Sequence, residues 1–262
     1  MSRKSPRCPR RHLIIPDTQI KPGVDTRHID WAALALVEYL PDVCVVLGDW
    51  WDCESLSSYE KPGGLKLEGA RIKADIDVGN EAFERLVQPM NKEIARRKRA
   101  GLEPWTPRCI FLKGNHEDRA DRVAKNDARY EGLVNSDMFL TPGFERHEFL
   151  EVVPVDGVSY SHYFAAQGTG KPIGGSIENR LNKIGRTFVC GHEQGLLLGL
   201  KQYPGNVTRF GVVAGSYYLH DEEYRGAQGN GNWRGLVVAN EVRDGTFDLM
   251  TLSISYLQRR FG

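Results

Sequence analysis

The run Val43-Cys44-Val45-Val46-Leu47 ends abruptly in Gly48-Asp49, and this junction constrains the chain more than any other feature. An unbroken apolar stretch rich in valine reads as a strand covered on both faces, the kind found in α/β folds. Glycine permits a sharp turn there, so the Asp49 carboxylate comes to the strand's C-terminal tip, where open α/β sheets bind their ligands. Three more apolar stretches end the same way: Leu13-Ile14-Ile15-Pro16-Asp17, Cys109-Ile110-Phe111-Leu112-Lys113-Gly114-Asn115-His116 and Thr187-Phe188-Val189-Cys190-Gly191-His192. Four tips presenting Asp, Asn or His on one rim describe a metal site assembled from loops.

Between these tips the pattern alternates. Asp25 or Thr26 can cap a helix reaching about Leu40, with Ile29, Ala32, Ala33, Leu36 and Val37 on one face. Pro41-Asp42 ends it, which leaves a strand–helix–strand unit. A loop over 55–69 with Lys61-Pro62-Gly63-Gly64 precedes helical sequence from roughly Ala70 to Arg99, which Gly79 should loosen and Pro89 kink or split. A charged helix is expected from Glu117 to about Tyr130, and loop with short structure from Asn135 to Phe149. Glu151 to Val155 and Val158 to Tyr160 flank Asp156-Gly157, a hairpin signal, and the second arm runs into His162. Ser176 and Gly185 bracket a short helix over Ile177 to Ile184. The remainder reads as strands: Val207 to Ala214, Gly235 to Asn240, and Thr246 to Tyr256 after the Asp244-Gly245 turn.

With 262 residues, 40% of them hydrophobic, the chain can bury a sizeable core. A net charge of +1 supplies no global field toward nucleic acid or membrane, so any such attraction must be local. Residues 1–12, with Arg3, Lys4, Arg7, Arg10 and Arg11, read as a basic disordered arm. Residues 13–262 then form a single domain with a helical insertion at about 54–107. Arg96-Arg97-Lys98-Arg99 either complements a helix C-terminus or forms a ridge for a phosphodiester chain. The five cysteines lack zinc-finger or CxxC spacing and three lie in expected strands, which suits small core residues in a reducing, cytoplasmic setting. No apolar run approaches ~18 residues, so no membrane span is expected. Nothing in the sequence sets an oligomeric state.

Asp17-Thr18-Gln19, Gly48-Asp49-Trp50-Trp51-Asp52, Gly114-Asn115-His116-Glu117, the isolated His162 and Gly191-His192-Glu193-Gln194 occur in that order. Together they resemble the motif set of the calcineurin-like metallophosphoesterases, DxH, GDxxD, GNH[DE], H and GHxH, over about two thirds of the chain. The resemblance implies a four-layer αββα sandwich of two mixed β-sheets flanked by helices, as in metallo-dependent phosphatases. It implies two divalent cations, one held by Asp17, Gln19, Asp49 and Gln194, the other by Asp49, Asn115, His162 and His192, with Asp49 bridging. It further implies that water activated between the cations attacks phosphorus, that His116 serves as general acid, and that Asp52 orients it.

The sequence departs from that set at Gln19 and Gln194, both where the family has histidine and both on the same inferred cation. An amide oxygen is a harder, weaker ligand than imidazole, so Mn²⁺ is expected first, with Mg²⁺ or Zn²⁺ as alternatives, or weak filling of that position. Protein phosphatases resembling this family carry arginine after GDxxD and before GNHE; here Cys53 and Lys113 stand there. Trp50 and Trp51 read either as core residues or as a wall of the substrate groove. With the basic segments on the backbone, the two rings for stacking and Lys113 as a further substrate contact, the expected activity is that of a phosphodiesterase or nuclease. The alternatives are a small-molecule or protein phosphomonoesterase, and a nucleic-acid-binding protein with a degenerate metal site. The expected partner is a phosphoester substrate, with nucleic acid as one candidate, and no membrane.

Overall fold

A computed structural model describes residues 9–57, 69–222 and 225–262. The loop expected around Lys61 to Gly64, and most of the basic N-terminal segment, lie outside the described residues.

The elements in chain order are β1 (Arg10–Ile15), α1 (His28–Tyr39), β2 (Val43–Val46), α2 (Ile72–Arg99), β3 (Arg108–Leu112), α3 (Asn115–Asn126), β4 (Glu145–His147), β5 (Val153–Val155), β6 (Val158–Tyr160) and α4 (Ile177–Ile184). They continue as β7 (Phe188–Cys190), β8 (Leu196–Tyr203), β9 (Val207–Ala214), the single turn α5 (Gly226–Gly229), β10 (Gly235–Arg243), β11 (Thr246–Ser253) and α6 (Ile254–Phe261). One sheet has the order β11-β10-β1-β2-β3-β4 and the other β5-β6-β7-β9-β8. Both are mixed. β1 to β4 run parallel, β10 runs antiparallel to β1, and β11, antiparallel to β10, points the same way as β1; in the other sheet β6, β7 and β9 are parallel with β5 and β8 antiparallel at the edges.

Side chains on a strand alternate between faces, and that alternation separates the layers. Leu13, Ile15, Cys44, Val46, Cys109 and Phe111 pack with α1, α2 and α6 through Leu36, Phe83, Leu86 and Leu257. Their neighbours Ile14, Val43, Val45, Ile110 and Leu112 point the other way, onto Val155, Val158, Tyr160, Val189 and Val212 of the second sheet. Ile177 and Leu181 of α4 cover the outer face of that sheet on Phe188, Cys190 and Val213. The layers are therefore helix, sheet, sheet, helix, as expected. Each fully buried aliphatic side chain contributes about 1.5–3 kcal/mol relative to exposure.

Several expectations need correction. β1 starts at Arg10, so the last residues assigned to a disordered arm are strand: Arg10 bonds Asp156, and Arg11 bonds Asp42, Asn240 and the Tyr39 carbonyl. Helix α1 begins at His28, and Asp25 accepts from the backbone N–H and the guanidinium of Arg27 before it, not from an N–H of the helix. Helix α2 runs unbroken through Pro89. Gly79 does not loosen it; a Cβ there would lie 1.9 Å from Trp51 Cδ1, so glycine is what lets the indole lie against the helix. The chain closes with α6 where strand was expected to Tyr256, while the short structure expected within 135–149 includes β4, paired to β3. The four described cysteines, Cys44, Cys53, Cys109 and Cys190, are free and buried. Among the described residues no helix is long and apolar enough to cross a membrane.

Candidate metal centre

Parallel strands deliver their C-terminal tips to one rim, and because both sheets contribute, residues far apart in sequence converge there. Asp17 follows β1, Asp49 follows β2, Asn115 follows β3, His162 follows β6 and His192 follows β7. The tips are hydrogen-bonded to one another. Thr18 and Gln19 donate their N–H groups to the Asp49 carbonyl at 3.1 and 2.9 Å, and Asp17 Oδ1 receives the His192 N–H at 3.0 Å. Gly48 has φ +92°, and a Cβ on it would sit 2.5 Å from the Gly114 nitrogen, so only glycine fits. Gln19, Asp49, Cys53, His192 and Gln194 also have positive φ, a cluster of strained backbone of the sort found at functional sites.

Asn115 Oδ1 lies 3.0 Å from His162 Nε2 and 2.8 Å from His192 Nδ1. Asp49 Oδ2 is 3.4 Å from the same His162 nitrogen. One donor atom from each of Asp49, His162 and His192 falls within 4.8 Å of the others. His162 gives its other nitrogen, Nδ1, to the Leu47 carbonyl at 2.7 Å, which leaves Nε2 to face the cluster. Two imidazoles, a carboxylate and an amide oxygen suit a borderline divalent cation. The electrostatics agree. Burial opposes charge on His162, yet Asp49 raises it to about 9, while burial and His162 together push His192 down to about 4. Burial alone would raise the Asp49 carboxyl, but His116 and His162 hold it well below the usual range. The carboxylate thus calls for positive charge at the spot where the imidazole nitrogens meet.

The other cation position fits less completely. Asp17 Oδ2 and Gln19 Oε1 are buried and accept no hydrogen bond, so two oxygens there are unspent. Burial and the nearby Asp49 carboxylate push Asp17 up. Gln194, expected as a ligand, accepts on its amide oxygen from the Tyr218 hydroxyl at 2.9 Å and from the Arg225 guanidinium. Tyr218 thereby borders the rim.

His116 stands beside this cluster, with Nε2 3.7 Å from Asp49 Oδ2. Its Nδ1 is 3.0 Å from Asp52 Oδ1 and 2.7 Å from the Asp52 carbonyl, which orients the ring. Burial opposes protonation of His116, but Asp49 and Asp52 raise it above its ordinary value. Two cations that the sequence reading missed complete this edge. Arg119 donates to the Asp52 carbonyl at 2.9 Å and to His116 Nε2 at 3.0 Å; Lys21 sits between Asp52 at 3.1 Å and Glu222 at 3.0 Å. Arg119 lies three residues after His116 on α3, a spacing that puts both on one helix face and could have been read. Glu117, the last member of the Gly114-Asn115-His116-Glu117 motif, proves central: its carboxylate accepts the backbone N–H groups of Asp49, Trp50, Trp51 and Gly114.

The expected substrate-binding residues lie elsewhere. Trp50 and Trp51 are 0% exposed, packed on Phe83, Phe111 and Phe139, so their rings offer no face to a ligand. Their indole nitrogens point away, to the carbonyls of Gly79 and Ile76 on α2. Lys113 is 2% exposed and neutralised by Asp121 and Glu148. Arg96 to Arg99 end α2, which leads into the N-terminal end of β3, the rim opposite the cluster. Arg96 and Arg97 pair there with Glu93.

No known protein family matches the sequence, and no curated protein does. Among solved structures the chain is similar to YfcE, a phosphoesterase from E. coli, at 13% identity and a TM-score of 0.39, over 92% of this chain and 98% of that one. A likeness that distant leaves the chemistry to be argued from the residues themselves.

Proposed function

We propose that the chain is a metal-dependent phosphoester hydrolase that acts on phosphodiesters, with nucleic acid as its substrate class. The observation that carries this reading is the convergence of Asp49, Asn115, His162 and His192 within reach of the paired His116 and Asp52. Its ordered strand-tip motifs resemble those of calcineurin-like metallophosphoesterases. Asp49, Asn115, His162 and His192 would hold one divalent cation. Asp17 and Gln19 would offer their unspent oxygens to a second, weaker one. Mn²⁺ suits the mixed oxygen and nitrogen donors. When bound, such a cation lowers the pKa of water and neutralises phosphoryl oxygens.

The protein's own residues supply the rest. Asp52 fixes the His116 ring through Nδ1; Nε2 accepts from Arg119 while the ring is neutral, and would carry the proton for the leaving oxygen once the ring is protonated and Arg119 has turned away. Arg119, already on that nitrogen, can turn a guanidinium N–H to a phosphoryl oxygen. Lys21 is neutralised by Asp52 and Glu222, so this edge carries limited free positive charge. That suits the single charge of a diester better than the two of a monoester.

The test compares bis-p-nitrophenyl phosphate with p-nitrophenyl phosphate, each with Mn²⁺, Mg²⁺ and Zn²⁺. Faster diester turnover is expected, greatest with Mn²⁺. Turnover of the monoester alone would move the reading to a phosphomonoesterase. No turnover with any of the three would leave a nucleic-acid-binding protein with a degenerate site.

A further inference from the structure

Two aromatic rings stand beside the histidine pair, and nothing in the proposed chemistry uses them. Tyr163 directly follows His162. The His162 side chain turns inward and is fully buried, whereas Tyr163 turns outward and is half-buried. The Tyr163 ring centroid is 4.7 Å from that of His192, and its hydroxyl donates to the Gly170 carbonyl at 3.3 Å, which pins the ring against the loop between β6 and α4. Phe149, just past β4, is also half-buried; its ring is 5.6 Å from Tyr163 at an interplanar angle of 80°, and 6.2 Å from His162.

Two half-buried rings set nearly at right angles make a corner with one face and one edge. A planar ligand ring can stack on the first and meet the second edge-on, the two arrangements aromatic pairs favour. The corner begins one residue from a cation ligand, within the reach of the sugar that joins a phosphate to its base. Arg122 on α3 extends the same edge: its side chain is 52% exposed, it pairs with Asp118 at 3.1 Å, and it donates to the Asn115 carbonyl at 3.3 Å. A cation there meets the phosphate of a neighbouring nucleotide.

We infer that Phe149 and Tyr163 form a nucleobase subsite, which holds the base of a nucleotide whose phosphate lies at the Asp49, His162 and His192 cluster. The inference rests on the phosphodiesterase reading above. It supplies, from residues on the rim, the stacking surface that buried Trp50 and Trp51 cannot provide. Stacking tolerates any base, so the subsite confers a preference for nucleotides without a strong preference among sequences.

The test uses two diesters that release the same p-nitrophenol: thymidine 5′-(p-nitrophenyl phosphate) and methyl p-nitrophenyl phosphate, both with the Mn²⁺-loaded protein. The wild type should favour the nucleoside ester in kcat/KM by roughly 10-fold. Tyr163→Leu and Phe149→Leu should each cut that ratio several-fold, while Tyr163→Phe, which keeps the ring, should preserve it. Equal kcat/KM for the two diesters, or a ratio unchanged in both leucine variants, would overturn the subsite and leave the phosphodiesterase reading standing. Turnover of neither diester would overturn both. Where the leucine variants do not fold, wild-type inhibition decides: thymidine 5′-monophosphate should inhibit more tightly than methyl phosphate, and equal inhibition would overturn the subsite.

Discussion

The Glu117 carboxylate accepts the Trp50 backbone N–H at 2.7 Å, and through it the first turn of α3 holds the tip of β2. The same carboxylate takes the N–H groups of Asp49, Trp51 and Gly114 at 3.0, 3.1 and 2.8 Å. The turn that aims Asp49 at the cluster is therefore fixed by a buried side chain that never faces the rim. Glu117→Gln turns one acceptor into a donor facing N–H groups. The variant should lose about 2 kcal/mol of stability in urea unfolding, and it should bind Mn²⁺ more weakly because Asp49 is no longer held. Unchanged stability would mean that those N–H groups find other acceptors.

Arg119 presents a planar fork to the Asp52 carbonyl and His116 Nε2, a geometry lysine cannot copy. Arg119→Lys should weaken inhibition by inorganic phosphate by about 10-fold or more, the worth of one charged hydrogen bond to an anion. It should leave Mn²⁺ affinity nearly unchanged, since Arg119 touches none of the proposed ligand side chains. Phosphate inhibition as strong as in the wild type would remove Arg119 from the substrate's environment.

Gly79 gives two opposed expectations. Helix propensity alone says that Gly79→Ala stabilises α2 by about 1 kcal/mol. Packing says the reverse, because the new Cβ would lie 1.9 Å from Trp51 Cδ1. The indole is wedged between Phe111 and Phe139 and has no room to retreat. The variant should be destabilised by about 1–3 kcal/mol, the cost of overpacking a dense core. A raised melting temperature would show that Trp51 can shift.

His12 is a buried link between the two sheets. Its ring meets the Tyr160 hydroxyl at 2.7 Å and Asp156 at 3.0 Å. Burial pulls its pKa down to about 4 against the opposing pull of Asp156. The unfolded chain, with an ordinary value near 6.5, therefore takes up a proton before the folded one does. The contribution of His12 to stability is therefore fully present above pH 6.5, is lost as the pH drops from there to about 4, and changes no further below that. The wild type should lose up to about 3 kcal/mol more than His12→Gln across that window, measured as urea unfolding at several pH values. Parallel pH profiles would show that His12 titrates alike in both states.

The layers of the fold were legible because strands buried on both faces spell unbroken apolar runs, as at Val43 to Leu47, and because Ser176 and Gly185 mark their helix ends chemically. The rim was legible for the same reason: each run stops at a glycine or proline with Asp, Asn or His close behind. What stayed hidden depends on partners distant in sequence. Nothing near Trp50 and Trp51 says that Gly79 will come to lie against them. Nothing near Gln194 announces Arg225 as the group that takes its amide oxygen. Helix α6 was missed because its apolar positions continue the pattern of β11 without a break, although Ser253 carried the cap signal. Phe149 and Tyr163 lack any motif and became visible only when their loops were seen beside His162 and His192.

Hydrolysis by this chain requires that the Asp49, Asn115, His162 and His192 cluster hold the cation. The most direct measurement is paired: Mn²⁺ binding to metal-stripped protein by titration calorimetry, and bis-p-nitrophenyl phosphate turnover in the same samples. Wild-type protein should bind Mn²⁺ and turn over only when loaded. Asp49→Asn should lose most of the binding and the turnover together. His116→Ala should keep the binding while turnover falls by about 10²–10⁴-fold, as for loss of a general acid. Asp49→Asn protein that binds Mn²⁺ and hydrolyses the diester like the wild type would contradict the account.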